Sequence, residues 1–391
     1  VATLRRNTIK KKINDQESFG KSTSKRKSDH IRICLTEEVQ TLRRKPGFED
    51  IDFVHNALPE IDISDVDIGT ELFGRKLRAP LIIAGMTGGH PIASRINANL
   101  ARVAQEAGIG IGVGSQRAAI EDPSLAETYS VVRKVAPDAL VIANLGAPQL
   151  AKGYGVKEAK KAVEMIEADA LAIHLNPLQE AVQEEGETAT RDVLNRIGVL
   201  TKELEVPVIV KETGCGIAYE EASKLAETNV KGIDVGGAGG TSWSAVEAYR
   251  QLGQGTHKKD NENIGFTFRD WGIPTAVSII EVSAVKELKI IATGGVRNGI
   301  DIAKAIGIGA NAAGMALPFL KPAYTGDEVA LRNLANRFVR ELKTAMYLTG
   351  TSNLEGLKKT NLVLRGEVAQ WLEMRGHDPK IYSKRRTSSS L

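Results

Sequence analysis

Residues 289–317 read KIIATGGVRNGIDIAKAIGIGANAAGMAL. An apolar run, Lys289 to Gly294, leads into a glycine-rich turn. A stretch of helical spacing follows from Gly299 to Ile306, and a second apolar run, Ala312 to Leu317, closes the segment. Short apolar runs bounded by glycine suit buried strands, and the periodic stretch between them suits the helix that joins two parallel strands.

The same unit recurs upstream. Ala79 to Met86 (APLIIAGM) precedes a helical pattern over about 92–107, and Ile109 to Ser115 (IGIGVGS) precedes one near 124–135. Ala139 to Leu145 (ALVIANL) pairs with 156–168, Ala170 to Asn176 (ALAIHLN) with 189–204, and Pro207 to Thr213 (PVIVKET) with 219–227. Gly232 to Gly237 (GIDVGG) is followed by a long polar insertion and a helix near 274–286. Eight β–α units in succession predict an α/β fold, a (β/α)8 TIM barrel with an N-terminal extension and C-terminal helices. A doubly wound open sheet has the same order of units, but no strand has the composition of a sheet edge, which favours closure.

The remainder is read by composition. Residues 1–24 are basic, polar and aperiodic and are expected to be a disordered tail. Residues 25–376 form one domain on this reading, beginning with a short helix over 28–38 and an irregular stretch to Arg78. Residues 377–391 are expected to be a flexible tail. The chain has 391 residues, 42% hydrophobic and only 5% aromatic, with a net charge of +4. Much of the excess charge lies at the ends, in Arg5, Arg6, Lys10 to Lys12 and Lys384 to Arg386, where solvated tails are the commoner reading. Without aromatics interleaved among the basic residues, a nucleic-acid surface is not expected. No apolar run approaches the ~20 residues of a membrane span. The first residues lack the apolar core of a secretory signal, and Asp15 and Glu17 count against a transit peptide. Two cysteines far apart, Cys34 and Cys215, argue against a disulfide framework and fit a cytoplasmic location.

In a barrel the C-terminal ends of the strands carry the site, and here those ends are polar. Thr293 to Gly299 (TGGVRNG) puts Gly294, Gly295 and Arg297 between a strand and a helix N-terminus, an arrangement that suits a phosphate. Ala316 and Leu317 end the next strand, and the loops after strands seven and eight are the recurrent phosphate site of this fold. A flat ring lying across the barrel mouth needs small residues beneath it, donors along its edge and a nearby cation. Gly85, Met86, Thr87, Gly88, Ser115, Asn144 and Thr241 meet the first two needs, and Lys211 the third. HLNPLQE, residues 174–180, sets His174, Asn176, Gln179 and Glu180 in quick succession at the end of the fourth strand. Glu180 suits Mg2+, which takes one or two carboxylates together with substrate phosphate oxygens. No zinc-spaced His/Cys set is present.

These motifs together resemble type 2, FMN-dependent isopentenyl-diphosphate delta-isomerase. The resemblance rests on Arg26-Lys27 with His30, AGMTGG (84–89), SQR (115–117), HLNPLQE, VKETGCGI (210–217), GGAGGTSW (236–243), DWGIPT (270–275), GGVRNG (294–299) and LTGTSNLEGL (348–357). It implies a reaction, isopentenyl diphosphate to dimethylallyl diphosphate in isoprenoid biosynthesis, with reduced FMN as proton donor and acceptor and NADPH or NADH as its reductant. It implies FMN on the residues named above, with its phosphate at Gly294, Gly295, Arg297, Ala316 and Leu317. The substrate diphosphate would meet Arg26, Lys27, His30, Ser115, Gln116, Arg117 and His174, with Arg26-Lys27 as a flexible lid. Gln179 would face the reacting carbons, with His174 beside it as a second catalytic residue, and Glu180 would bind Mg2+. Trp243 and Glu247 would lie near the substrate. A homotetramer or homo-octamer is the implied assembly. Two other flavin- or nucleotide-type barrels share the phosphate loop. An IMP-dehydrogenase-like enzyme would need Cys215 as its nucleophile, and a 2-hydroxy-acid oxidase would need a His/Arg pair that is not found.

Overall fold

The computed structural model describes residues 22–253 and 263–385. Arg5, Arg6, Lys10 to Lys12, Arg386 and most of the tail expected over 1–24 lie outside those residues. Eight strands close a parallel barrel: β1 (Leu81–Ile83), β2 (Gly110–Gly112), β3 (Val141–Gly146), β4 (Ala170–Leu175), β5 (Val208–Glu212), β6 (Gly232–Asp234), β7 (Lys289–Ala292) and β8 (Ala312–Met315). Each strand pairs with its neighbours in sequence, and β8 returns to β1 through Ala313↔Leu81 and Met315↔Ile83. Strands covered on both faces read as continuous apolar runs, which is why β1, β3 and β8 are buried along their whole length.

The interior is filled from one end only. Ile82, Ile142, Ile209 and Ile291 point inward and pack with Leu72 and Leu77 of an antiparallel hairpin, Thr70–Leu72 with Arg75–Leu77. This hairpin plugs the N-terminal end, and each such Ile or Leu contributes about 1.5–3 kcal/mol when fully buried. The C-terminal end is left for the site. A second buried cluster runs from Ile31 through the outer helices to Tyr382. Among the described residues no helix is long and apolar enough to cross a membrane.

Several local expectations are corrected. The first helix is Ser22–Thr36, not 28–38, so Arg26 and Lys27 sit on regular helix. The stretch to Arg78 contains, besides the hairpin, a strand Ile51–Phe53 paired with Leu362–Leu364. The polar insertion after β6 holds a helix, Trp243–Gly253, and a short turn of helix, Ile264–Thr267. Residues 377–385 are docked rather than loose: Pro379–Lys384 forms a 3-10 helix, Tyr382 is buried, and Arg385 donates to the carbonyls of Gly307 (2.6 Å) and Lys358 (2.7 Å).

Candidate active site

The strand ends and the helix Ser22–Thr36 enclose a cavity of about 1710 Å3, its open mouth included. Every expected site residue lines it except Gln116, Gly88 and Glu247, the last lying just behind the lining. Gln116 turns into the barrel wall. It is fully buried, donates to the Ala162 carbonyl (2.8 Å) and accepts from the Asn144 N–H (2.9 Å), so its side chain has no access to a diphosphate. Gly88 is packed beneath the Tyr129 ring, where a Cβ would overlap the ring itself. It makes room for Tyr129 rather than for a ligand.

One side of the cavity is built for an anion. Gly294 and Gly295 have φ of +103° and +76°, and a Cβ on Gly294 would strike the Gly237 carbonyl. The loop therefore requires glycine and lies directly on its neighbour. Among the described residues the backbone N–H groups of Gly294, Gly295, Ala316 and Leu317 find no acceptor in the chain. Leu317 also opens the helix Leu317–Thr325, whose N-terminus favours negative charge. Arg297 completes this side. Its Nε and Nη2 donate to Oε1 of Gln40 (3.3 and 2.7 Å) and its Nη1 to the Val296 carbonyl (2.9 Å). A guanidinium has five N–H groups, so two remain for a ligand. The donor-rich glycine loop fits the phosphate of FMN, and Gly85, Gly236 and Gly314 bring close-packed backbone to the cavity lining, where a Cβ would strike Val113, Glu212 and Thr293.

At the ring position Lys211 lies beside His174, its register partner on β4. The Asn144 amide donates to the Val113 carbonyl (3.0 Å), which turns its oxygen toward His174 Nδ1 (2.8 Å). His174 therefore carries its proton on Nδ1 and offers a lone pair at Nε2. Burial, then the charges of Lys211 and Lys27, hold the ring neutral by pushing its pKa down to about 3. In the free chain His174 therefore presents an acceptor at Nε2.

The opposite wall comes from the helix Ser22–Thr36 and from Pro177–Val182, which follows β4. Lys27 Nζ donates to the Ser115 carbonyl (2.9 Å) and to the Tyr129 hydroxyl (2.6 Å), and that hydroxyl donates to the same carbonyl (2.6 Å). Burial, together with the charges of Arg26 and Arg117, brings Lys27 down to about 7. Arg117 is shared between Glu121 (2.8 Å) and Glu187 (2.9 Å). Behind these groups Glu247 is completely buried. Its Oε1 accepts from Gln179 Nε2 (3.0 Å) and meets His30 Nε2 (2.9 Å), and its Oε2 accepts from Arg250 Nε (2.7 Å). Burial alone would raise its pKa, but His30, Gln179 and Arg250 overcome it and bring the carboxyl to about 2. Trp243 packs edge-on against His30, with ring centroids 5.2 Å apart. With its amide turned to match its neighbours, Gln183 donates to Glu247 (3.1 Å) and accepts from Arg26 (3.0 Å).

Asn176 fixes the HLNPLQE segment by donating to Gln179 Oε1 (3.2 Å) and Glu180 Oε1 (2.8 Å). Gln179 thus has both ends of its amide assigned. Glu180 Oε2 accepts from the Glu187 N–H (2.6 Å). No group of three or more His, Cys, Asp or Glu is placed to hold a metal among the described residues. A Mg2+ here would have one carboxylate, Glu180, and would need substrate and water for its other ligands. Cys215 lies outside the cavity lining, and burial raises its thiol far above the usual range, so it is no nucleophile. Tyr129, Gln183, Arg250 and Gln40 were not legible as site residues. Tyr129 and Arg250 lie on amphipathic helices where a core position or a surface charge is the ordinary reading.

Residues 20–123 and 156–364 match the family of FMN-dependent dehydrogenases. The chain is 50% identical over 364 residues to the isopentenyl-diphosphate delta-isomerase of Methanothrix thermoacetophila, covering 93% of this chain and 99% of the relative. It is 49% identical over 355 residues to that of Archaeoglobus fulgidus, covering 91% and 100%. Among solved structures it resembles a lactate oxidase of Pediococcus acidilactici, described as putative, with a TM-score of 0.60 at 16% identity, covering 92% of this chain and 94% of that one. It also resembles a mandelate oxidase, with a TM-score of 0.55 at 16% identity, over 92% of this chain and 98% of that one. At such identity the likeness concerns the barrel alone. The glycine loop, the cation-lined wall and the two near-half-identical relatives agree: this chain is a member of the isopentenyl-diphosphate delta-isomerases, within the FMN-dependent dehydrogenase family.

Proposed function

We propose that the chain converts isopentenyl diphosphate to dimethylallyl diphosphate with FMN seated at the barrel mouth. One observation carries the reading. A single cavity has a donor-rich phosphate cradle on one side and, facing it, a basic wall with a buried carboxylate behind it. The reaction moves a double bond by one carbon without net redox, so a proton is added at one carbon and removed at another. When bound, reduced FMN supplies a proton donor and acceptor beside the alkene, and NADH or NADPH is needed only to reduce it.

The residues do the rest. Arg26, Lys27, His30 and Arg117 anchor the diphosphate, and fixing the reacting carbons in this way contributes several kcal/mol to lowering the barrier. Glu180 would hold Mg2+ against the same diphosphate. Gln179, locked between Asn176 and Glu247, presents a fixed amide to the carbon chain. The Glu247 carboxylate behind it favours positive charge developing on the substrate, and it is set in place before reaction. A cytoplasmic location and assembly as a homotetramer or homo-octamer go with this reading, and light scattering of the purified protein tests the latter. The decisive experiment follows product by NMR with FMN, Mg2+ and NADPH under anaerobic conditions. Product forms only with reduced FMN. Turnover without flavin, or none with it, would sink the proposal.

A further inference from the structure

DWGIPT, residues 270–275, does not touch the reacting end of the cavity, yet its start is heavily bonded. Asp270 Oδ1 accepts from three successive backbone N–H groups, Leu42 (2.8 Å), Arg43 (2.9 Å) and Arg44 (3.1 Å). The preceding residue, Arg269, donates to the Gln40 carbonyl (2.8 Å) and to that of Glu38. Two adjacent side chains thus hold one strip of backbone, residues 38–44. The strip also pairs as a strand with the loop after β6: Ser242 N–H donates to Val39 (2.8 Å), and Thr41 N–H donates to Gly240 (3.0 Å). Pro46, just beyond, lies against Gly239 and Gly295.

This strip joins two functions. Upstream it continues directly from the helix Ser22–Thr36, which carries Arg26, Lys27 and His30. At its centre, Gln40 stands behind Arg297 and accepts from both Nε and Nη2. Gln40 Nε2 faces Glu38 Oε1 at 3.5 Å, which leaves its oxygen for Arg297. The choice of an amide matters. An amide oxygen orients a guanidinium and leaves its charge intact, whereas a carboxylate there would orient it and cancel the charge needed by a phosphate.

We infer that Gln40 is a positioning residue that aims Arg297 at the cofactor phosphate and, through the strip clamped by Arg269 and Asp270, couples that phosphate to the helix bearing the substrate's anion contacts. The inference rests on the FMN reading above. It predicts reciprocity: FMN tightens diphosphate binding and diphosphate tightens FMN by the same factor.

Full-length wild type, Gln40→Ala and Gln40→Glu are compared. Gln40 is half-exposed, so neither change threatens the barrel. The FMN Kd is read by flavin fluorescence. Inorganic diphosphate is titrated calorimetrically into apo and FMN-loaded protein. Gln40→Ala should weaken FMN about tenfold, the loss of one charge-assisted contact. Gln40→Glu should weaken it at least as much, although its hydrogen bonds are kept, and a merely structural role for Gln40 would not produce that result. FMN should tighten diphosphate about fivefold or more in wild type, and the factor should fall to about one in Gln40→Ala. FMN binding by Gln40→Glu at wild-type strength, or the same diphosphate factor in Gln40→Ala as in wild type, overturns the inference alone. Wild type that binds no FMN overturns the cofactor reading and the inference with it.

Discussion

Replacing Glu247 by Gln removes the one negative charge at the centre of the basic wall. In the folded chain burial works against the ionised carboxyl, and the groups around it more than compensate, lowering its pKa from 4.5 to about 2. A displacement of that size corresponds to about 3 kcal/mol of stability at neutral pH. The side chain is completely buried, so solvent screening does not discount it. Arg250 keeps a second carboxylate partner, Glu185 at 2.7 Å, so the substitution leaves no unpaired buried charge to add to this figure. The sign follows from the depressed value. The stabilisation is complete above about 4.5 and is lost as the pH falls toward about 2, where the folded carboxyl also protonates. Urea unfolding of wild type and Glu247→Gln at pH 7 and at pH 3.5 measures it. The gap should be about 3 kcal/mol at pH 7 and smaller at pH 3.5. Turnover should fall while FMN content stays unchanged, since Glu247 lies away from the glycine cradle. A gap under about 1 kcal/mol at pH 7, or one that widens on acidification, would refute the reasoning.

Tyr129→Phe removes one of the two acceptors of Lys27, so the KM for the diphosphate substrate should rise about fivefold with the FMN Kd unchanged. Lys27, at about 7 in the free chain, should take up a proton when a diphosphate binds. Calorimetry at pH 8 in buffers of different ionisation enthalpy should show that uptake, and affinity should fall as pH rises above about 7. Gly294→Ala forces a side chain into φ +103° against the Gly237 carbonyl. The purified variant should hold less than about a tenth of the wild-type flavin, a backbone-strain effect read from its absorbance. Gln116→Leu leaves the Asn144 N–H and the Ala162 carbonyl unpaired. It should lose about 1–3 kcal/mol in urea melts with substrate KM unaltered. A raised KM there would restore Gln116 to the diphosphate site.

The barrel was legible because its signal is redundant. Eight short apolar runs alternate with amphipathic helices, and an error at one boundary does not alter the order. The glycine cradle was legible because TGGVRNG falls where a strand meets a helix N-terminus. Gln116 was misassigned for a local reason. It sits between Ser115 and Arg117, both in the lining, but at φ −85° and ψ 3° the chain turns, and its side chain leaves the cavity. The start of the helix Ser22–Thr36 was missed because STSKRK offers no apolar stripe, and its helical form depends on what the later turns pack against. Residues 377–385 were read as loose because a few packed side chains, Tyr382 chief among them, leave no periodicity. Gln40 has no sequence signal, since its role depends on a guanidinium 257 positions away.

The helix Ser22–Thr36 lies outside the βα repeat, yet it brings Arg26, Lys27 and His30 to the cavity wall. The cavity is therefore walled by two kinds of chain: loops that every barrel of this design has, and one helix added from outside the repeat. Recoding Arg26, Lys27 and His30 alone would reshape one face of the mouth while Arg117 and the HLNPLQE turn stay in place, so the added helix is the part of the wall that can change without disturbing a strand end.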